Sequence, residues 1–266
     1  MNELTSNSSS LAPAIRTQGL TRQFDRFLAV DHIDLHVERG TFYGFLGPNG
    51  AGKSTTIKML TGLLAPTSGR IEVLGQNPNV AAQALVMKSR IGVVPEGLAL
   101  FDNLTGPEYL TFIGRMHSLE KAVLQTRIGE LLPLLDLEKD RTKLTVEYSH
   151  GMKKKLALAA ALLPNPDLLF LDEPFEGVDA VASRTIRRLL ATFVERGSTV
   201  FLTSHVLEIV ERLCSHVGII VGGKLVEQTA LSTLGSGGSL EERFLEVVGP
   251  RQGVDAELSW LREGGL

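Results

Sequence analysis

Residues 46–56 read LGPNGAGKSTT. From Gly47 to Ser54 this is the pattern G-x-x-x-x-G-K-S/T, with Asn49, Gly50, Ala51 and Gly52 between its ends and Thr55 just after. The chemistry follows from the residue types. Glycines let backbone N–H groups converge on phosphate oxygens, and the start of the next helix adds its positive end. Lys53 supplies a point charge to the β- and γ-phosphates, and the Ser54 hydroxyl is a ligand for Mg²⁺. The loop implies that a nucleoside triphosphate is held. It does not say what the energy is used for.

Moving outward, TFYGFLG (41–47) is a short apolar strand that runs into the loop, and a helix is expected from Lys53 to about Leu64. Upstream, AIRTQGLTRQF (14–24) and FLAVDHIDLHV (27–37) read as strands. In the second, Ile33, Leu35 and Val37 alternate with Asp34 and His36, which gives one buried face and one wet face. Downstream, RIEVLG (70–75) and IGVVP (91–95) are further strands.

The pattern then changes. Residues 97–163 show helical spacing and no strand. Thr105-Gly106-Pro107-Glu108 has the form of a capping box with an early proline. Residues 121–136 repeat apolar positions at helical spacing, with Pro133 as a kink or stop. Strands return at 167–173, 198–204, 216–223 and 224–230. Between them, Val181, Ile186, Leu189, Leu190 and Phe193 are read as one helical stripe. Strands alternating with helices predict an α/β domain with a largely parallel sheet, interrupted by a helical block. The expected division is a polar disordered tail over 1–13, one domain over 14–248 with the helical block inserted at about 97–163, and a C-terminal tail over 249–266. Gly-Ser-Gly-Gly at 235–238 is a break before a last helix, and Trp260 ends a short amphipathic stretch in the tail.

Bulk properties narrow the function. The 266 residues carry a net charge of −3, which argues against a general nucleic-acid binder. No apolar run approaches the roughly 20 residues that cross a bilayer. The N-terminus has neither the basic start nor the apolar stretch of a secretory signal. Cys214 is the only cysteine, so no intrachain disulfide forms, and its place beside Leu213 suits a core thiol.

A second chemical feature is LLFLDEP (168–174), an apolar strand ending in two carboxylates. At a strand's carboxyl edge both can reach a ligand in the crevice. Asp172 is the natural partner of Mg²⁺, and Glu173 the natural base for an attacking water.

Together these residues resemble the ATP-binding subunits of ABC transporters, and the likeness covers about residues 14–248. The landmarks of that family come in a fixed order, and the same order is found here. Phe24 matches the aromatic that stacks on adenine. The phosphate loop follows. A strand then leads to a loop that normally carries glutamine; here it is IGVVPEG and the residue is Glu96. The family's signature, usually LSGGQ, corresponds to Tyr148-Ser149-His150-Gly151-Met152. The acidic strand is next, then a loop with Asp179, then a strand capped by His205, which matches the switch histidine that contacts the γ-phosphate.

Two departures matter. Glu96 places a carboxylate near Mg²⁺ and the γ-phosphate, as in ATPases that serve exporters of drugs, ions or polysaccharides. In the signature, Ser149 and Gly151 are kept as the hydroxyl and N–H that contact ATP, while His150 shows that its position does not require a glycine-only backbone angle. The lysines 153–155 fall in the first helical turn and are read as a solvated face.

The resemblance implies an ATPase that binds ATP and Mg²⁺ (Ser54, Asp172, Glu96) and works as a homodimer or heterodimer with sites shared between subunits. It also implies a separate multi-span membrane permease as partner, no nucleic acid, and a peripheral position on the cytoplasmic face. The function expected is to power a transporter of the export class. The alternative is a soluble ATPase of the same family acting on ribosomes or DNA; such relatives carry two nucleotide domains or a long coiled coil, and neither is present here.

Overall fold

The computed structural model describes residues 12–234 and 239–249. The chain begins with β1 (Ile15–Phe24), β2 (Phe27–Ile33), the two-residue β3 (His36–Val37) and β4 (Phe42–Leu46). It continues through α1 (Lys53–Leu60), β5 (Ser68–Val73), α2 (Ala81–Lys88) and β6 (Ile91–Val94). Three helices follow with no strand between them: α3 (Gly106–Met116), α4 (Lys121–Leu134) and α5 (His150–Leu162). The second half is β7 (Leu168–Asp172), α6 (Ala180–Glu195), β8 (Thr199–Ser204), α7 (Leu207–Leu213), β9 (His216–Val221) and β10 (Lys224–Ala230), closed by α8 (Leu231–Leu234) and α9 (Leu240–Val248).

The central sheet has the order β10-β9-β4-β8-β7-β6. All its pairings are parallel except that of β10 with β9. Its inner strands β4, β7 and β8 are buried along their whole length because both faces are covered, as parallel sheets require, whereas the edge strand β10 alternates with solvent. Alternation then sorts side chains by face. Phe42, Leu169, Leu171, Val200 and Leu202 join the core under the helices, whereas Tyr43, Phe45, Leu168, Phe170 and Phe201 join the core under the antiparallel sheet. In the second core the rings of Tyr43 and Phe201 stack at 5.5 Å. In the antiparallel sheet β1 pairs with β2, β3 and β5, and β3 and β5 lie on opposite edges of β1, since Ile15 and Arg16 pair with both.

Several expectations need correction. The strand expected at 27–37 is two strands, because Asp34 turns aside and its Oδ1 accepts from the Gly19 N–H at 2.6 Å. The alternation survives the break: Ile33, Leu35 and Val37 are buried. Helix α1 stops at Leu60 rather than Leu64; Gly62 turns to φ +69°, and the N–H groups of Leu63 and Leu64 both reach back to the Lys58 carbonyl. Val181 is 78% exposed and lies off the stripe of Ile186, Leu190 and Phe193. A five-residue step turns a helix about 140° past a full turn, so Val181 cannot share a face with Ile186. The largest correction concerns the lysines. Lys154 and Lys155 are buried, not solvated.

Other features stand as read. The box at Thr105 and Glu108 caps α3 in both directions. Pro133 sits in the last turn of α4, which ends one residue later. Cys214 is buried, and burial pushes its thiol well above the ordinary range. The Gly-Ser-Gly-Gly stretch, Trp260 and nearly all of both tails lie outside the described residues.

Candidate functional site

Parallel strands deliver their carboxyl ends to one edge of the sheet, and the site is built there. The phosphate loop follows β4, Glu96 follows β6, Asp172 and Glu173 end β7, and His205 follows β8. The loops enclose a cavity of about 610 Å³, whose lining includes Asn49 through Thr55, Glu96, Asp172, Glu173, Glu176 and His205.

The loop itself is shaped by close approach. A Cβ on Gly47 would lie 2.2 Å from the Ile220 carbonyl oxygen. One on Gly52, at φ +108°, would lie 2.4 Å from the Ala29 carbonyl oxygen. Only glycine fits either place. Gly52 is also the N-cap of α1, so the helix opens toward the cavity. Lys53 is buried, and its ammonium donates to the Gly47 carbonyl at 2.8 Å and the Pro48 carbonyl at 3.3 Å. Its charge is therefore held inside the curve of the loop.

The acid pair is held by a residue that the sequence did not single out. Thr203, fully buried on β8, donates its hydroxyl to Asp172 Oδ1 at 2.5 Å and accepts the Glu173 N–H at 3.1 Å. The only clue in the sequence is a hydroxyl just after the apolar Val-Phe-Leu run of β8. Glu173 adopts φ +50°, a left-handed conformation that costs a non-glycine residue about 1–3 kcal/mol. Its Oε2 lies 3.0 Å from His205 Nδ1 and accepts weakly from the His205 N–H at 3.4 Å. The imidazole is half exposed on its other side.

Glu96 faces the cavity. The Ser54 hydroxyl donates to its Oε2 at 3.3 Å. Ser54, Glu96 and Asp172 thus bring a hydroxyl and two carboxylates to one wall, which are the hard oxygen donors Mg²⁺ takes. The donor set fits that ion. Among the described residues no group of three ligating side chains would hold a cation alone, so phosphate oxygens would complete its shell.

Four predicted residues are not in the cavity lining. Phe24 is exposed, with the Arg22 guanidinium 4.4 Å from its ring centroid. Its cross-strand partner Phe27 lines the cavity instead. Ser149 and Gly151 stand at the start of α5, where Ser149 is the N-cap and accepts from the Met152 N–H at 3.3 Å. Asp179 is the N-cap of α6, and the N–H groups of Ala182 and Val181 hold its carboxyl below the usual carboxylate range. Helix starts of this kind present free N–H groups and the positive end of a dipole, but neither of these two lines the cavity at the chain's own phosphate loop.

A glycine loop with a buried lysine, a magnesium-type hydroxyl, and an acid pair on a neighbouring parallel strand together define a P-loop nucleoside triphosphatase. The comparisons make this more specific. Residues 30–176 match the family model described as ABC transporter. The bacitracin transport ATP-binding protein BcrA of Bacillus licheniformis is 41% identical over 219 residues, covering 82% of this chain and 70% of that protein. The daunorubicin/doxorubicin resistance ATP-binding protein DrrA of Streptomyces peucetius is 37% identical over 84% of this chain and 67% of its own length. Among solved structures, an ATP-binding subunit of an ABC transporter superposes with a TM-score of 0.83 at 28% identity, over 89% of this chain and all of the other. The chain belongs to the ABC transporter family and is an ATP-hydrolysing, ATP-binding subunit of it. These relatives favour the transporter reading over a soluble ATPase acting on ribosomes or DNA.

Proposed function

We propose that this chain drives an exporter by closing on a second ATPase subunit around ATP and reopening after hydrolysis. The observation that carries the reading is the division of the site. One surface gathers the phosphate loop, Glu96, Asp172, Glu173 and His205, while Ser149, Gly151 and Asp179 stand outside that cavity. A second subunit, identical or different, brings its own Ser149 and Gly151 positions to the γ-phosphate and completes the site.

In the closed state Lys53 and the loop N–H groups hold the β- and γ-phosphates. Ser54, Asp172 and Glu96 would hold Mg²⁺, which when bound would neutralise phosphate charge. That neutralisation is needed here, because the cavity carries four carboxylates against one lysine. Glu173 accepts the proton of the attacking water as its oxygen bonds to the γ-phosphorus. The bond from that phosphorus to the β–γ bridging oxygen breaks, and the charge left on ADP meets Lys53. His205 holds both Glu173 and the γ-phosphate.

Transmission to the membrane uses a separate groove. An apolar cavity of about 400 Å³ lies beside the Glu96 loop, lined by Leu63, Leu98, Leu100, Tyr109, Ile113 and Ala157 among others. A helix of a multi-span permease fits this chemistry. Among the described residues no helix is long and apolar enough to cross a membrane. The partner then supplies the crossing, and this chain works at the cytoplasmic face, a reading supported by its likeness to transporter ATP-binding proteins. The export direction rests on the Glu96 subgroup and on relatives named for bacitracin transport and daunorubicin resistance. No nucleic acid is part of the cycle.

The test is a charge placed in the groove. Leu63 is 67% exposed, so Leu63→Asp leaves the fold intact. Wild type extracted in mild detergent is expected to carry a multi-span membrane chain in stoichiometric amount, and the variant to lose it while binding ATP normally. Retention of that chain by the variant, or purely soluble partners of the wild type, would contradict the reading.

A further inference from the structure

Lys154 is a buried ammonium with no part in phosphate binding. It is 2% exposed and lies in α5, one turn beyond the His150 and Gly151 pair. Its Nζ donates to the backbone carbonyl of Glu173 at 2.7 Å and reaches Glu176 Oε2 at 3.4 Å. A buried cation that could be replaced by an apolar side chain is costly to keep, so its retention asks for a reason beyond packing.

Its neighbour Lys155 supplies a contrast. That side chain runs to Asp136, meeting its carbonyl at 3.4 Å and its carboxylate at 3.9 Å. Asp136 follows the end of α4, where carbonyls lack partners and a cation is favourable. A structural role accounts for Lys155. It does not account for Lys154, whose partner is the backbone of the residue that bears the base.

The surroundings of that contact are tight. A Cβ on Gly177 would lie 2.8 Å from His150 Cδ2, and one on Gly151 would lie 3.0 Å from the Gly177 carbonyl oxygen. The start of α5 and the loop after Glu173 are therefore in close contact, through the Gly151 backbone and the His150 ring. Glu173 holds its left-handed φ of +50° between four anchors: Thr203 on its N–H, His205 on its carboxylate and, on its carbonyl, the Glu176 N–H at 3.3 Å and Lys154. Only the last comes from the helix that carries Ser149 and Gly151.

We propose that Lys154 is a positioning residue that couples the start of α5 to Glu173. Occupation of Ser149 and Gly151 by the second subunit's ATP is then transmitted through Lys154 to the base of this subunit's own site. This rests on the shared-site reading and on Glu173 as the base. It assigns Lys154 to turnover, not to nucleotide affinity.

The experiment compares Lys154→Met, Lys154→Arg and Lys154→Gln with wild type and Glu173→Gln in the full chain, in the assembly in which it is isolated. Steady-state kcat and KM for Mg-ATP, equilibrium affinity for a non-hydrolysable ATP analogue, and thermal melting are measured on each. Lys154→Met removes the donor at nearly constant length and is expected to lose about tenfold or more in kcat, with analogue affinity within about threefold of wild type. Lys154→Arg and Lys154→Gln keep an N–H for the Glu173 carbonyl and are expected to recover most of kcat. Unchanged kcat in folded Lys154→Met would overturn the proposal. So would kcat and affinity falling together in proportion to the folded fraction. If the Met variant fails to fold, the Arg and Gln variants decide alone: loss of turnover in both, with affinity and melting intact, contradicts the role given to the donor. The Glu173→Gln control separates the two readings. Turnover in that control near wild type removes the base assignment, whereas an inactive control beside a fully active Lys154→Met removes only this inference.

Discussion

The Ser54 hydroxyl donates to Glu96 Oε2 at 3.3 Å, which ties the phosphate loop to the loop after β6. Glu96 thereby lines the nucleotide cavity while its side chain stays open to solvent. The loop it belongs to also borders the apolar groove through Pro95 and Leu98. One carboxylate thus stands between the magnesium-type donors and the surface proposed for the membrane subunit.

Replacing it with the family's usual amide tests that position. Glu96→Gln removes a negative charge without changing shape, so ATP affinity is expected to stay within about threefold. The Mg²⁺ concentration needed for half-maximal hydrolysis is expected to rise, and the ratio of transport to hydrolysis to change. Titrating Mg²⁺ at fixed ATP measures the first. Identical Mg²⁺ curves and identical coupling would place Glu96 outside the reaction.

Glu173→Gln keeps the shape of the side chain but removes its capacity to accept a proton. Hydrolysis is expected to fall by about 10²–10⁴-fold, the usual scale for a general base, while ATP binding persists. Single-turnover hydrolysis beside equilibrium binding distinguishes these. Near-normal turnover would assign the base elsewhere.

Phe24 and Phe27 face each other across the β1–β2 turn, and both are exposed. Their places differ: Arg22 covers one ring, and the other lines the cavity. If Phe27 supplies the adenine platform, Phe27→Ala weakens ATP binding by about tenfold, within the range of a lost aromatic–base stack, and Phe24→Ala by much less. The opposite order would restore the platform to Phe24 and mean that nucleotide rearranges this turn. Competition between ATP and inorganic triphosphate reads the adenine contribution separately.

Cys214 offers a stability probe. Burial raises its thiol above the ordinary range, so the reactive thiolate is scarce in the folded protein. A disulfide reagent at pH 8 is expected to label it at a rate set by unfolding, and ATP with Mg²⁺ is expected to slow labelling further through mass action. Labelling as fast as that of a free thiol in native buffer would contradict the burial.

Much of this was legible in the sequence, for reasons that can be located. Strands β4, β7 and β8 read as apolar runs because both faces of the central sheet are covered. The phosphate loop, the acid pair and His205 were legible because each sits at the carboxyl end of such a run. What escaped had no local signal. Helix α2 leaves Leu85 and Val86 exposed and buries only Met87, so it shows no stripe. Helix α7 buries only Val210. Lys154 and Lys155 look like a solvated cluster because their acceptors, the carbonyls of Glu173 and Asp136, come from distant parts of the chain. Thr203 is functional only through its neighbour across the β7–β8 pairing.

The central claim is that two chains share each ATP, and the most direct measurement is the association state of Glu173→Gln with and without Mg-ATP. Sedimentation is expected to show the slowly hydrolysing variant shifting from one ATPase subunit to two when ATP is added, and a second change, Ser149→Arg at the exposed start of α5, is expected to abolish the shift while leaving ATP affinity intact. A Glu173→Gln protein saturated with ATP that stays a single subunit, or that pairs equally well with Arg at position 149, would contradict the account.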